Sequence, residues 1–176
     1  MSILGFLGFG SSKSSKGSAD TDTVRRIAAS LDSLEPERAR FIAAFAFLLC
    51  RVARVDFDVS AEEAAAMERL VMERGHLSES EAVLVLQIAK SQNALFGSTE
   101  NFLVTREFAK IASREEKIAL LDCLFAVSAA DESISNAEDS EIVRICAELQ
   151  LPREEVVVAR SRYREHLAVL KTVPIG

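Results

Sequence analysis

The sequence predicts an all-α protein, a single domain of seven to eight helices built from two pseudo-symmetric repeats. Three observations carry that expectation. From about Asp22 onward apolar residues recur at spacings of three and four, as in Phe41, Ile42, Phe45, Leu48, Leu49, Val52 and Val55, while no stretch sustains a two-residue alternation. Four Ser-x-x-Glu boxes, at Ser60, Ser78, Ser113 and Ser135, mark helix starts, with the Ser side chain accepting from the third amide and the Glu reaching back. And the chain repeats itself, Asp56, Val59, Ser60 and Glu63 returning as Asp131, Ile134, Ser135 and Glu138 at a constant offset of 75 positions.

Taken in order, Met1–Gly10 is apolar and glycine-punctuated, and Ser11–Ser18 is a polar Ser/Lys stretch whose composition suits a flexible linker. Residues 1–21 are therefore expected to be a tail, read either as a frayed end or, through Phe6 and Phe9 helped by Lys13 and Lys16, as a hydrophobic anchor for a membrane surface or a partner's groove. Helices are expected over 22–34, 37–55, 60–74, 78–93, 99–112, 114–130, 135–149 and 153–170. Pro36 and Pro152 stand where helices should begin, and Gly75 and Gly97 where they should stop or turn. The run Phe41–Cys50 has the length of a buried core helix, and Ala82–Ala89 is apolar nearly all round, as a central helix would be. The helical domain spans 22–171, and 172–176 form a short C-terminal tail.

The repeat extends beyond its acidic signature. Phe45, Leu48 and Val52 correspond to Leu120, Cys123 and Val127, and Met67, Leu70 and Val71 to Ile142, Ile145 and Cys146. After one deletion, Leu77–Val83 corresponds to Leu151–Val157. Each unit reads helix, acidic turn, helix, short turn, helix. Two units packed about a pseudo-twofold axis would bring the acidic turns into corresponding positions.

Composition narrows the function classes. A net charge of −6 over 176 residues disfavours nucleic acid as a partner. The local basic run Arg160, Arg162, Arg164 is interleaved with acids and reads as a solvated helix face. Cys50, Cys123 and Cys146 sit singly in apolar helical stretches, which suits small buried hydrophobes in a reducing compartment rather than disulfides or zinc. No secretory signal is evident. His76 at a helix end and His166 beside Glu165 have ordinary structural readings, and no phosphate loop, nucleophile elbow or His-Glu-x-x-His motif occurs, so no catalytic residue is assigned.

The acidic turns hold the candidate site. Ser60–Glu63 and Ser135–Glu138 are explained as capping boxes, with Val59 and Ile134 placed to act as hydrophobic staples. Asp56 and Asp131 admit two readings: turn-forming residues that satisfy loop amides, or ligands of a hard divalent cation, which needs several oxygens and carboxylates to balance its charge. Asp58 and Glu132 could add to such a set, and the spacing excludes an EF-hand.

An apolar helix ending in Val52-Ala53-Arg54-Val55-Asp56 or Val127-Ser128-Ala129-Ala130-Asp131, followed by Val/Ile-Ser-x-x-Glu, resembles the TerB-like tellurite-resistance family. The likeness covers roughly residues 24–171. It implies a bacterial stress-response protein, cytoplasmic or at the inner-membrane surface, whose acidic residues are proposed to bind metal ions; related domains occur in membrane-anchored J-domain co-chaperones. Carried over residue by residue, the implied metal set is Asp56, Glu63, Asp131 and Glu138. The family's Gly after the Asp is replaced by Phe57 and by Glu132. The expected function is therefore a non-enzymatic module binding a divalent metal ion, a protein partner, or both. The alternatives are a carboxylate-based metal-dependent enzyme, or an oligomerising adaptor with no metal role.

Overall fold

Nine consecutive residues, Phe41–Leu49, leave a helix no polar face at all, so the segment is stable only where other helices surround it. The computed structural model describes residues 18–52, 61–91, 98–130 and 133–171. In it the helices are α1 (Ser18–Asp32), α2 (Pro36–Val52), α3 (Ala61–Gly75), α4 (Glu79–Ser91), α5 (Ser98–Ile111), α6 (Arg114–Ala129), α7 (Asn136–Glu148) and α8 (Arg153–Arg162). A 3-10 turn (Arg164–His166) and the short α9 (Ala168–Lys171) follow. The fold is all-α, and among the described residues the pairing of Ile134 with Leu167 is an isolated bridge outside any strand.

The centre is α2. It packs against α1, α4, α5, α6 and α7, and all nine residues of Phe41–Leu49 are at most 4% exposed. Ala82–Ala89 is touched on several sides, as expected: α4 lies against α1, α2 and α3, and keeps Val83 and Gln87 toward its open side. Phe41, Phe45 and Phe108 form one aromatic cluster, with Phe41 and Phe108 stacked at 5.1 Å between centroids. Burying one such side chain contributes about 1.5–3 kcal/mol, a large share of the roughly 5–15 kcal/mol by which a domain is stable.

Three of the four expected capping boxes are made. Ser78, Ser113 and Ser135 each accept from the amide three residues on and donate their own amide to that residue's Glu, at 2.8–2.9 Å for the return bond. The fourth, at Ser60, lies outside the described residues, as does Gly97.

Gly75 ends α3, but the chain reverses at the next residue, His76, with φ 53°. The amide of Leu77 then donates to the carbonyl of Met72 at 3.1 Å, the six-to-one bond of a Schellman motif. Gly75 serves close packing instead: a Cβ there would stand 2.9 Å from the buried Phe45 ring. The end of α7 has the same geometry, with Gln150 at φ 58° and Leu151 donating to Cys146 at 3.0 Å. His76 and Gln150 are equivalent positions in the expected repeat, so these two turns share one design; the doubling as a whole remains an expectation from sequence.

The last expected helix, 153–170, is broken. It stops at Arg162, and Leu167 is extended at φ −69°, ψ 116°. The break lets the backbone bond elsewhere: the Ile134 amide donates to the His166 carbonyl at 2.7 Å, and the Ala168 amide donates to the Ile134 carbonyl at 2.9 Å. A hydrogen-bonded anchor for the buried Ile134 outweighs continuing an exposed helix.

Candidate functional site

Of the four residues implied as metal ligands, only Glu138 has a described side chain. Asp56 and Asp131 lie outside the described residues, together with Asp58 and Glu132, and of Glu63 only the backbone position in α3 is described. What the structure provides is the frame around the two turns.

The second turn is held from both sides. Ile134 is fully buried and bonded before and after Leu167, and Ser135 opens α7 through its capping box. Glu138 Oε2 accepts from the Ser135 amide at 2.8 Å, so that oxygen already has a backbone partner. The expected hydrophobic staple is not made: the fourth helical position is Asp139, which accepts two bonds from Arg160 at 2.7 and 2.8 Å. Ile134 packs into the core instead. Just ahead of this turn, Ser128 is 3% exposed and its Oγ has no hydrogen-bond partner among the described residues, an unusual state for a buried hydroxyl.

The end of α2, which leads to the first turn, is tied down by Arg51. Its side chain is 5% exposed. It donates to Glu141 at 2.6 and 2.8 Å, to Glu148 at 2.8 Å and to the Thr105 hydroxyl at 2.6 Å. Both glutamates belong to α7, the helix that the second turn opens. Burial works against the Arg51 charge, but the bonds to Glu148 and Glu141 win and hold its pKa above the ordinary value. Burial likewise opposes ionised Glu148, yet the bonds from Arg51 and Thr105 lower its pKa. The sequence did not flag this cluster. Its signal was present: an Arg closing an apolar run, and two glutamates seven residues apart, on nearly one face of a helix.

Two further clusters join helices. Arg38 donates to both oxygens of Glu81 at 2.6 and 3.0 Å and to Glu116 at 3.3 Å, and lies 4.6 Å above the Phe41 ring. Glu81 and Glu116 are both capping-box residues, so Arg38 ties the starts of α4 and α6 to α2. The bond from Arg38 holds the Glu81 carboxyl well down, at about 2. Asp122 accepts from Arg74 at 3.2 Å, Arg162 at 3.3 Å and the Tyr163 hydroxyl at 3.3 Å, joining α3, α6 and α8. Of the expected solvated basic face, Arg162 and Arg164 are exposed, Arg162 also pairing with Asp122 of α6; Arg160 departs from it, half-buried and ion-paired to Asp139 of α7.

The chemistry of these groups is that of structural charge. Burial pushes the thiols of Cys50, Cys123 and Cys146 up to about 12, far from nucleophilic, as expected for small hydrophobes. His76 is exposed and His166 half-buried, with the His166 carbonyl bonded to Ile134. Among the described residues no group of three or more His, Cys, Asp or Glu side chains is arranged to hold a metal ion. No helix among them is long and apolar enough to cross a membrane.

The family model of tellurite resistance protein TerB matches residues 41–161, well over half the chain, and takes in both acidic turns. The chain belongs to the TerB family. The match begins at Phe41 in the buried centre of α2 and ends at Ser161 in α8, so it covers most of the helical domain and leaves out α1 and α9. No curated protein and no solved structure matches the chain. Membership in the TerB family makes the domain a tellurite-resistance-like helical module.

Proposed function

We propose that this TerB-family chain is a non-enzymatic binding module of the bacterial cytoplasm. Its turns around Asp56 and Asp131, with Glu63 and Glu138, take up a divalent cation, a basic segment of a protein partner, or one coupled to the other. The observation that carries this reading is the Arg51 clamp. Arg51 stands two residues before the stretch 53–60 that holds Asp56, and binds Glu141 and Glu148 on the helix that the second turn opens. The helix entering one turn is thereby fixed against the helix leaving the other, which suits a ligand drawing on both. Carboxylate oxygens are the donors hard cations prefer, and neighbouring carboxylates repel one another unless a cation or basic group lies between them.

Thermal unfolding with and without calcium, magnesium, manganese or zinc tests the cation arm. Saturating ligand should stabilise the folded chain, by about 2.7 kcal/mol at a hundredfold excess over the dissociation constant. Asp56→Asn combined with Asp131→Asn should abolish that response and leave the helical circular dichroism unchanged. A wild-type chain indifferent to all four ions would remove the metal and leave the partner.

A further inference from the structure

Between α1 and α4 the surface opens into a cleft of about 540 Å³. Its floor is apolar, from Leu84, 6% exposed, and the half-buried Leu34 and Val83. Its rim is polar and acidic, with Ser33, Gln87 and Glu79. Glu79 is exposed and makes no ion pair among the described residues. The cleft thus offers an apolar seat beside an uncompensated negative charge.

The chain carries a segment of matching chemistry. Ile3, Leu4, Phe6, Leu7 and Phe9 are followed within seven residues by Lys13 and Lys16. We infer that the segment Ile3–Phe9 seats in the α1–α4 cleft of its own chain, with Lys13 near the Glu79 rim.

Reach permits this. From Ser18 at the start of α1 to Ser30 at the cleft is about 18 Å at 1.5 Å per helical residue. The seven residues 11–17 can span up to about 24 Å when extended, enough to run back along α1 and deliver Phe9 to the cleft. Charge selects this cleft over the groove of about 280 Å³ beside α8 and α9. That groove is also apolar, from Val157, Leu167 and Leu170, but it is bordered by Arg164, which makes no ion pair among the described residues and repels a lysine-bearing segment. A seat within the chain also keeps five large apolar side chains from water, which the tail would otherwise leave exposed.

The chain has no tryptophan, so Phe6→Trp introduces a single reporter. In the full chain its emission should be blue-shifted, and its quenching by acrylamide several-fold weaker than in a free peptide of residues 1–17 carrying the same substitution. Both effects should persist on dilution. Glu79→Lys with Gln87→Lys, two exposed positions, should weaken the shielding, and Val83→Lys should abolish it, each with unchanged helical circular dichroism. Emission and quenching equal to the free peptide's would overturn the inference. So would shielding that fades on dilution, which would put the segment in a neighbouring chain, or shielding that appears only with anionic vesicles, which would put it on a membrane.

Discussion

Ile134 and Leu167 lie side by side as a parallel bridge, the backbone of Ile134 bonded to His166 at 2.7 Å and to Ala168 at 2.9 Å. The C-terminal segment is therefore part of the second acidic turn's support. Replacing Ala168 by Pro deletes one of the two bonds, and the extended Leu167 before it tolerates a following proline. The cost should be about 1 kcal/mol in chemical denaturation. Amide exchange at Ile134 should accelerate while exchange in α2 follows only the global change. Unchanged exchange at Ile134 would mean the bridge does not hold the turn.

Arg51→Ala should be among the costliest single changes. It leaves Glu141 and Glu148 facing each other without their shared cation, and breaking a buried pair in this way costs about 3–5 kcal/mol. Adding Glu141→Gln and Glu148→Gln to Arg51→Met should recover much of the loss, since the uncompensated charge is then gone. If the single and triple variants melt alike, the penalty comes from lost packing rather than charge.

Acid should unfasten the Arg38–Glu81 pair. The Glu81 carboxyl lies near 2 in the folded chain and at an ordinary carboxylate value of about 4.3 when unfolded. A lowered folded value means the contribution is complete above the unfolded value and disappears as pH falls from about 4.3 toward 2. Glu81→Gln should thus be less stable than wild type at pH 7 and lose less over that interval. Parallel pH profiles for the two proteins would contradict the assignment.

The two residues at the end of α3 should respond in opposite directions. Gly75→Ala places a methyl 2.9 Å from the Phe45 ring and should cost about 1–3 kcal/mol by overpacking. His76→Gly relieves a left-handed non-glycine residue and should be stabilising by up to about 1 kcal/mol. Urea denaturation of both variants decides the matter, and a stabilising Gly75→Ala would show that the ring can move aside.

Much of the fold was legible because its signals are local. The capping boxes at Ser78, Ser113 and Ser135 announced their helices, and the run Phe41–Leu49 announced burial. Interruptions governed by distant partners were not legible. Nothing between Arg153 and Leu170 says that the helix must break, because the reason is Ile134. Gly75 reads as a stop signal, yet the left-handed turn falls on His76, since Phe45 claims the space over the glycine. The supports of the candidate site share this character: Arg51, Arg38 and Asp122 bond residues 40 to 97 positions away. The acidic residues themselves were visible as a repeated motif, and family membership brings both copies under one description.

The Arg51 clamp has a thermodynamic corollary. On the proposed function, a ligand drawing on both turns would meet α2 and α7 already aligned, because the cost of aligning these two helices was met when the chain folded. Calorimetry of such an association should then record a small heat-capacity change and little ordering entropy, its free energy set by stripping water from carboxylates.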